Sequence, residues 1–336
     1  MRDVSVKNIA NPSANISNIT SIAPKKPVNS ANAMEIPAEP LMIRSNWPTF
    51  DIKSKLNGIR YSPSFRRTKQ AGSMSGEIWG DLWSSNQSAF ARRYMTTVVE
   101  KETLVCLAAD LRTMDEISAL ITEVGPYIAC LKLHVDIVND WNIEGWMRIC
   151  NEARSQGVAI WEDRKFADIG RVSRQQMAGA FDIRSWADIV TAHLISGPDI
   201  IQGLQDGWSD VERDGGVLLL AQMSSRGNLL DEKYTKTVVN LGNKEDGVLG
   251  YIGNGSDPGA IQALREIVGS NRMIWTPGIN LTIGDGVAGQ RYGHPREAVL
   301  AGSDCLIVGS GIHQSQDRRV AAAEYARISW QALLDR

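Results

Sequence analysis

From residue 104 onward the chain repeats one pattern eight times: a short, almost uninterrupted apolar run, a polar loop, then a stretch of helical character. The runs are LVCLAAD (104–110), IACLKLHVDI (128–137), VAIWEDR (158–164), DIVTAHL (188–194), VLLLAQM (217–223), VLGYIG (248–253), MIWTPGI (273–279) and CLIVGSG (305–311). Segments such as MDEISALITEVG and DPGAIQALREIVG lie between them. A strand that is apolar at nearly every position is covered on both faces, the condition of a parallel sheet flanked by helices. Eight such units, roughly 28 residues apart, fit a closed (β/α)8 TIM barrel, a fold of about 250 residues. A doubly wound open sheet is the alternative. It normally carries a Gly-rich turn after its first strand, and LAADLRT has none. The predicted fold class is therefore α/β, a TIM barrel over 101–336 with an N-terminal extension.

The extension divides in two. Residues 1–45 are rich in Asn, Ser, Ile and Pro without a period, and read as a disordered or loosely attached segment. Residues 46–100 carry Trp47, Trp79, Trp83 and Phe90, with a predicted helix over SNQSAFARRYMTTVVEK. Large aromatic side chains gain most from burial, so this part is expected to pack on the barrel.

Composition excludes several function classes. The 36 basic and 38 acidic residues leave a net charge of −2, which gives no support for a nucleic-acid surface. No apolar run reaches the length of a membrane span. The first residues, MRDVSVKNIA, lack the apolar core of a secretory signal, and the acid-poor stretch before Glu35 is not Arg-rich as mitochondrial presequences are. A cytoplasmic location is expected. Cys106, Cys130, Cys150 and Cys305 lie in apolar segments without a C-x-x-C pair, and are expected to be reduced, buried thiols. His134, His193, His294 and His313 show no metal-ligand spacing, so no metal site is expected.

In such a barrel the reacting groups stand at the C-terminal ends of the strands. The unusual residues fall there. Asp110 ends the first run; Lys132, His134 and Asp136 lie in the second; Asp163 and Lys165 end the third, with Asp168 just beyond. Ser224 ends the fifth, Pro277 the seventh, and Gly309 and Ser310 the eighth. In WEDRKFADIG the alternation of side chains puts Asp163 and Lys165 on one face. With Lys132 from the neighbouring strand and Asp168 from the loop, four charges of alternating sign are expected to form one buried array. Opposite charges close by keep one another ionised where burial alone would neutralise them. The plain alternatives are an ion-pair network on the barrel rim, a turn-capping Ser224 and a packing Tyr292, and His134 and His193 are expected to be structural, hydrogen-bonded neutral rings.

These segments also resemble a known family. DRKFADIG, preceded by LKLHVDI and by a strand ending in Asp110, resembles the orotidine 5′-monophosphate decarboxylases, in their fungal branch. WADIVTAHLISGPDIIQGL, LLLAQMSSRGNL with EKYTK, IWTPGINL with GDGVAGQRY, and AGSDCLIVGSGI agree in the same order. The resemblance implies a cofactor-free carboxy-lyase that removes CO2 from C6 of a pyrimidine and works as a homodimer with shared active sites. Lys165 matches the lysine that stabilises the developing carbanion and protonates it. Asp163 and Lys132 match the groups that hold this lysine, and Asp168 an aspartate contributed across the dimer interface. Asp110 matches a ribose contact and Ser224 the reader of the pyrimidine. Gln290 and Tyr292 match the loop that closes on the 5′-phosphate, and Gly309 a backbone phosphate contact. Pro277 completes the expected substrate-binding set.

Two positions depart from the family pattern. Ser310 stands where an arginine usually grips the phosphate, and Val172, beside Ser173, where a threonine reaches the partner's ribose. Arginine is a permanently charged, bidentate fork for phosphate; serine is one neutral hydroxyl. Arg291, in GQRY, is a candidate replacement. Three functions follow: decarboxylation of orotidine monophosphate in pyrimidine synthesis; a paralogous lyase acting on a different, non-phosphorylated heterocyclic or secondary-metabolite acid; and a non-catalytic binding or regulatory barrel. The intact charge cluster argues against the third, and Ser310 and Val172 against the first.

Overall fold

The computed structural model describes residues 68–86, 88–225, 227–282, 284–285 and 291–336. The expectations for residues 1–45, for Trp47 and for Gln290 lie outside the described residues.

Each of the eight apolar runs coincides with a strand. These are β1 (Val105–Ala108), β2 (Cys130–Leu133), β3 (Ala159–Phe166), β4 (Ile189–Ala192), β5 (Gly216–Leu220), β6 (Val248–Ile252), β7 (Met273–Pro277) and β8 (Cys305–Val308). Every neighbouring pair is parallel, and β1 pairs with β8 to close the barrel. Closure excludes the open doubly wound sheet. The strands are buried along almost their whole length, because helices cover the outside and side chains fill the inside.

Several helices begin where a side chain supplies a cap. Met114–Val124 starts at Thr113, whose side chain accepts the Glu116 N–H while the Glu116 side chain returns to the Thr113 backbone. Pro258–Val268 starts after Asp257, which accepts the N–H groups of Gly259 and Ala260. The helix expected over 85–101 runs from Ala89 to Lys101, since the Ser88 side chain accepts the Ala91 N–H and fixes the start there.

That helix closes the barrel at the strand starts. Tyr94 is buried, stacks on Trp275 of β7 with ring centroids 5.0 Å apart, and donates its hydroxyl to Sγ of Cys305, the first residue of β8. Trp161 meets Trp275 edge-on at 5.5 Å further inside. Trp79, Leu82 and Phe90 are buried as well, and the Trp79 indole donates to the Met95 carbonyl. Burying each such ring contributes about 1.5–3 kcal/mol. All four cysteines are free and buried.

The loop after β3 is held by an unusually close helix crossing. A Cβ on Gly203 would sit 2.2 Å from the Gly170 carbonyl oxygen, and one on Gly170 would sit 2.3 Å from that of Asp199. Only glycines allow Gly170–Met177 and Asp199–Ser209 to meet at this depth. The first helix follows directly on Asp168 and carries Val172 and Ser173. Ser173 is buried and its hydroxyl donates to the Asp168 carbonyl.

Candidate active site

The charged residues converge at the C-terminal mouth of the barrel. Lys132 is the third residue of β2, and its neighbour in β1 is Ala108, so it stands beside the segment that ends in Asp110. Asp163 and Lys165 lie in β3. The β3–β4 register shifts between Glu162 and Lys165, so the β4 partners step from Val190 to Thr191 while β3 advances three residues. Bulges of this kind re-aim side chains beside active sites.

The Asp163 carboxylate is the centre of the cluster. Its Oδ2 lies 2.9 Å from Lys165 Nζ and 3.3 Å from Lys132 Nζ. Its Oδ1 accepts the Thr191 hydroxyl at 2.7 Å, and Thr191 Oγ1 in turn accepts the Trp161 indole N–H at 2.9 Å. Burial pushes the Asp163 carboxyl up, but Lys132, Lys165, His134 and the Thr191 hydroxyl outweigh it and hold the group below the ordinary carboxylate range. Lys132 shows the mirror balance. Burial would lower its ammonium, yet Asp163 and Asp110 raise it above the usual lysine value. Both groups are therefore charged at neutral pH.

Lys132 has a third partner. Its Nζ lies 3.2 Å from Asp110 Oδ1 and 2.8 Å from His134 Nε2. An ammonium has only N–H bonds to offer, so the His134 Nε2 must be the acceptor, and the neutral ring carries its proton on Nδ1. Burial, and then the Lys132 charge, hold His134 below the ordinary histidine value, consistent with a neutral ring. Burial and the Lys165 charge also lower His193, at the end of β4. His134 therefore belongs to the cluster rather than to the surrounding framework. The sequence signal was its placement two residues after Lys132. Thr191 was also missed; a lone hydroxyl inside the apolar run DIVTAHL was its signal.

The expected four-charge array is corrected in two ways within one chain. Asp168 stands apart from it. It is exposed, its Oδ1 accepts the Ile169 N–H, and its carbonyl accepts the hydroxyls of Ser173 and Ser196. It lies past the end of β3, where strand alternation no longer aims the side chain inward. The array is also not wholly buried: the Lys165 side chain keeps 36% of its exposure, against 8% for Lys132. The most exposed member faces the mouth, where a reacting molecule arrives.

The remaining candidates ring this mouth. Asp110 is half-exposed and Ser224 is buried in the loop after β5. Pro277 ends β7. Gly309 precedes the one-turn helix Ser310–His313, and Ser310 Oγ lies 3.4 Å from the Tyr292 hydroxyl. Tyr292 belongs to a two-residue ladder with Gly284–Asp285. Val172 is half-buried on the helix after Asp168.

The family model for the orotidine 5′-phosphate decarboxylase / HUMPS family matches residues 103–325, which takes in all eight strands. This chain belongs to that family. The orotidine 5′-phosphate decarboxylase of Cyberlindnera fabianii is 36% identical over 262 residues, covering 75% of this chain and 95% of the relative. That of Saccharomyces cerevisiae is 34% identical over 268 residues, covering 78% and 98%. Among solved structures, the orotidine 5′-phosphate decarboxylase of Pyrococcus horikoshii superimposes with a TM-score of 0.55 at 24% identity, covering 67% of this chain and 98% of that one. The Methanocaldococcus jannaschii orotidine 5′-monophosphate decarboxylase, solved with the inhibitor BMP, gives 0.55 at 21%, with the same coverage. These two likenesses establish the barrel fold. The decarboxylase family so takes in the barrel, and residues 1–102 precede the matched region.

Proposed function

We propose that the protein decarboxylates orotidine 5′-monophosphate to UMP and CO2. Its curated relatives are decarboxylases, and the chain is a carbon–carbon lyase of the same kind. The observation that carries the mechanism is the Lys132–Asp163–Lys165 arrangement, a buried carboxylate between two ammonium groups with the more exposed one facing the mouth.

The substrate's C6–carboxylate bond breaks, CO2 departs, and the electron pair stays on C6. The Lys165 ammonium stands fixed where that negative charge develops, so little reorganisation is needed as the bond breaks. It then gives a proton to C6, and the resulting amine takes a proton back from water. Asp163 holds Lys165 in place, and Lys132 holds Asp163. Asp110 binds the ribose, Ser224 reads the pyrimidine, and Pro277, Gln290, Tyr292, Gly309 and Ser310 complete the substrate pocket. Asp168, exposed on its own chain, is supplied across a homodimer interface to the partner's site. The described part of the extension, with Trp79, Phe90 and Tyr94, serves as a platform for the barrel. No helix among the described residues is long and apolar enough to cross a membrane, and the proposed location is cytoplasmic.

A second reading keeps the chemistry and changes the substrate. Ser310 pairs with the Tyr292 hydroxyl at 3.4 Å and brings no positive charge to this end of the pocket. Losing a charge-assisted hydrogen bond costs about 1.5–3 kcal/mol. That favours a heterocyclic acid without a phosphate. Incubation with orotidine monophosphate, following ultraviolet absorbance and CO2, separates the two: turnover supports the first, and its absence in a folded protein supports the second.

A further inference from the structure

Behind the array, on the outer face of β3, is a second group of side chains that the proposed chemistry does not use. Glu162 alternates with Asp163 and points the other way. It is completely buried. Its Oε2 accepts the Val135 N–H at 3.0 Å, while Oε1 has no hydrogen-bond partner among the described residues. A buried carboxylate oxygen without a partner is costly and calls for an explanation. One carboxylate oxygen of Glu162, one of Asp136 and one ring nitrogen of His134 lie within 4.8 Å of one another. Asp136 is exposed, on the one-turn helix Val135–Ile137, so the group opens to solvent on one side.

We propose that His134, Asp136 and Glu162 form a binding site for a first-row divalent cation of the zinc type, and that its occupancy detaches His134 from Lys132. One imidazole nitrogen with two carboxylates is a donor set for Zn2+ or Mn2+, whereas Mg2+ and Ca2+ favour oxygen alone. A tetrahedral ion with bonds of about 2.1 Å holds its ligand atoms about 3.4 Å apart. The three groups must therefore close by an ångström or so. Asp136 can supply this movement from its exposed turn, and water completes the coordination from the same side.

The coupling follows from the imidazole ring. Its Nε2 already accepts from the Lys132 ammonium. A cation on Nε2 displaces that ammonium directly. A cation on Nδ1 moves the ring proton to Nε2, where it faces the ammonium N–H groups. Either way, the cation and Lys132 compete for His134, and the array loses one of its supports. Only the resulting loss of turnover rests on the decarboxylase reading; binding and detachment do not.

The test is calorimetric titration of the full chain with Zn2+ in the absence of substrate. The expected result is one saturable site, weakened roughly tenfold or more by Glu162→Gln and by Asp136→Asn. Asp136 is exposed, so Asp136→Asn keeps the test decisive if Glu162→Gln does not fold. No Zn2+ binding, or equal binding in Asp136→Asn, overturns the site. Histidine 15N spectra read the coupling: Zn2+ must shift the His134 nitrogens in wild type, and in Asp136→Asn only at roughly tenfold or higher Zn2+. Zn2+ bound at this site with the His134 signals unmoved overturns the detachment. A wild-type chain that fails to turn over orotidine monophosphate overturns the functional reading instead, and leaves both metal measurements decisive.

Discussion

Replacing Asp163 by asparagine removes one negative charge and almost no volume. The Thr191 hydroxyl keeps an oxygen to donate to, but the face toward the two lysines becomes an amide. Lys132, with 8% of its side chain exposed, is then left with Asp110 as its one carboxylate, and Asp110 is 50% exposed. Removing one partner of a buried ion pair costs about 3–5 kcal/mol, because the surviving charge is stranded. Asp110 and the His134 ring still support Lys132, so the lower end, about 3 kcal/mol, is expected. For a domain of this size that lowers Tm by roughly 6–12 °C. Thermal melts of Asp163→Asn and of the double variant Asp163→Asn with Lys132→Met measure it. The double variant should recover much of the loss, since no buried charge is left unpaired. A Tm for Asp163→Asn within about 2 °C of wild type, or a double variant less stable than the single, would refute the view of Asp163 as the counter-ion that holds the array.

Three further outcomes follow from the same structure. The Asp163 carboxyl is held below its ordinary value, so the stability it contributes is present above about pH 4 and is lost as pH falls through the folded value; acid titration of stability should show this limb in wild type and a shallower one in Asp163→Asn. Tyr94→Ala removes a ring stacked on Trp275 and should cost about 3–5 kcal/mol, read from urea denaturation; a cost below 1 kcal/mol would mean that the helix does not close the barrel. Ser310→Arg should strengthen orotidine monophosphate binding by roughly tenfold to a hundredfold in KM; an unchanged KM would place the phosphate elsewhere.

The barrel was legible because parallel strands covered on both faces leave an apolar signature at every position. IACLKLHVDI shows both the reach and the limit of that signature. It located β2 and the inward Lys132, but it overran the strand, which ends at Leu133; His134, two residues after Lys132, lies just past that end and turns its ring onto the lysine. WEDRKFADIG gave Asp163 and Lys165 through simple alternation. It also suggested that Asp168 joins them, and alternation stops at Phe166, where β3 ends. The register shift against β4 leaves no mark in composition, so the lone hydroxyl of DIVTAHL was visible while its place beside Asp163, with the Trp161 indole behind it, was not. Glu162 is the strongest case. A charged residue in an apolar run reads as outward and solvated, yet it is fully buried with burial pushing its carboxyl up to about 8.

Release of CO2 from carboxyl-labelled orotidine monophosphate, by wild type and by Lys165→Ala side by side, tests the central claim most directly. The Lys165 side chain is 36% exposed, so its truncation should leave the fold and the melting curve close to wild type. The account predicts one CO2 per UMP from wild type and only background release from the folded variant. Release by Lys165→Ala at the wild-type rate would contradict it.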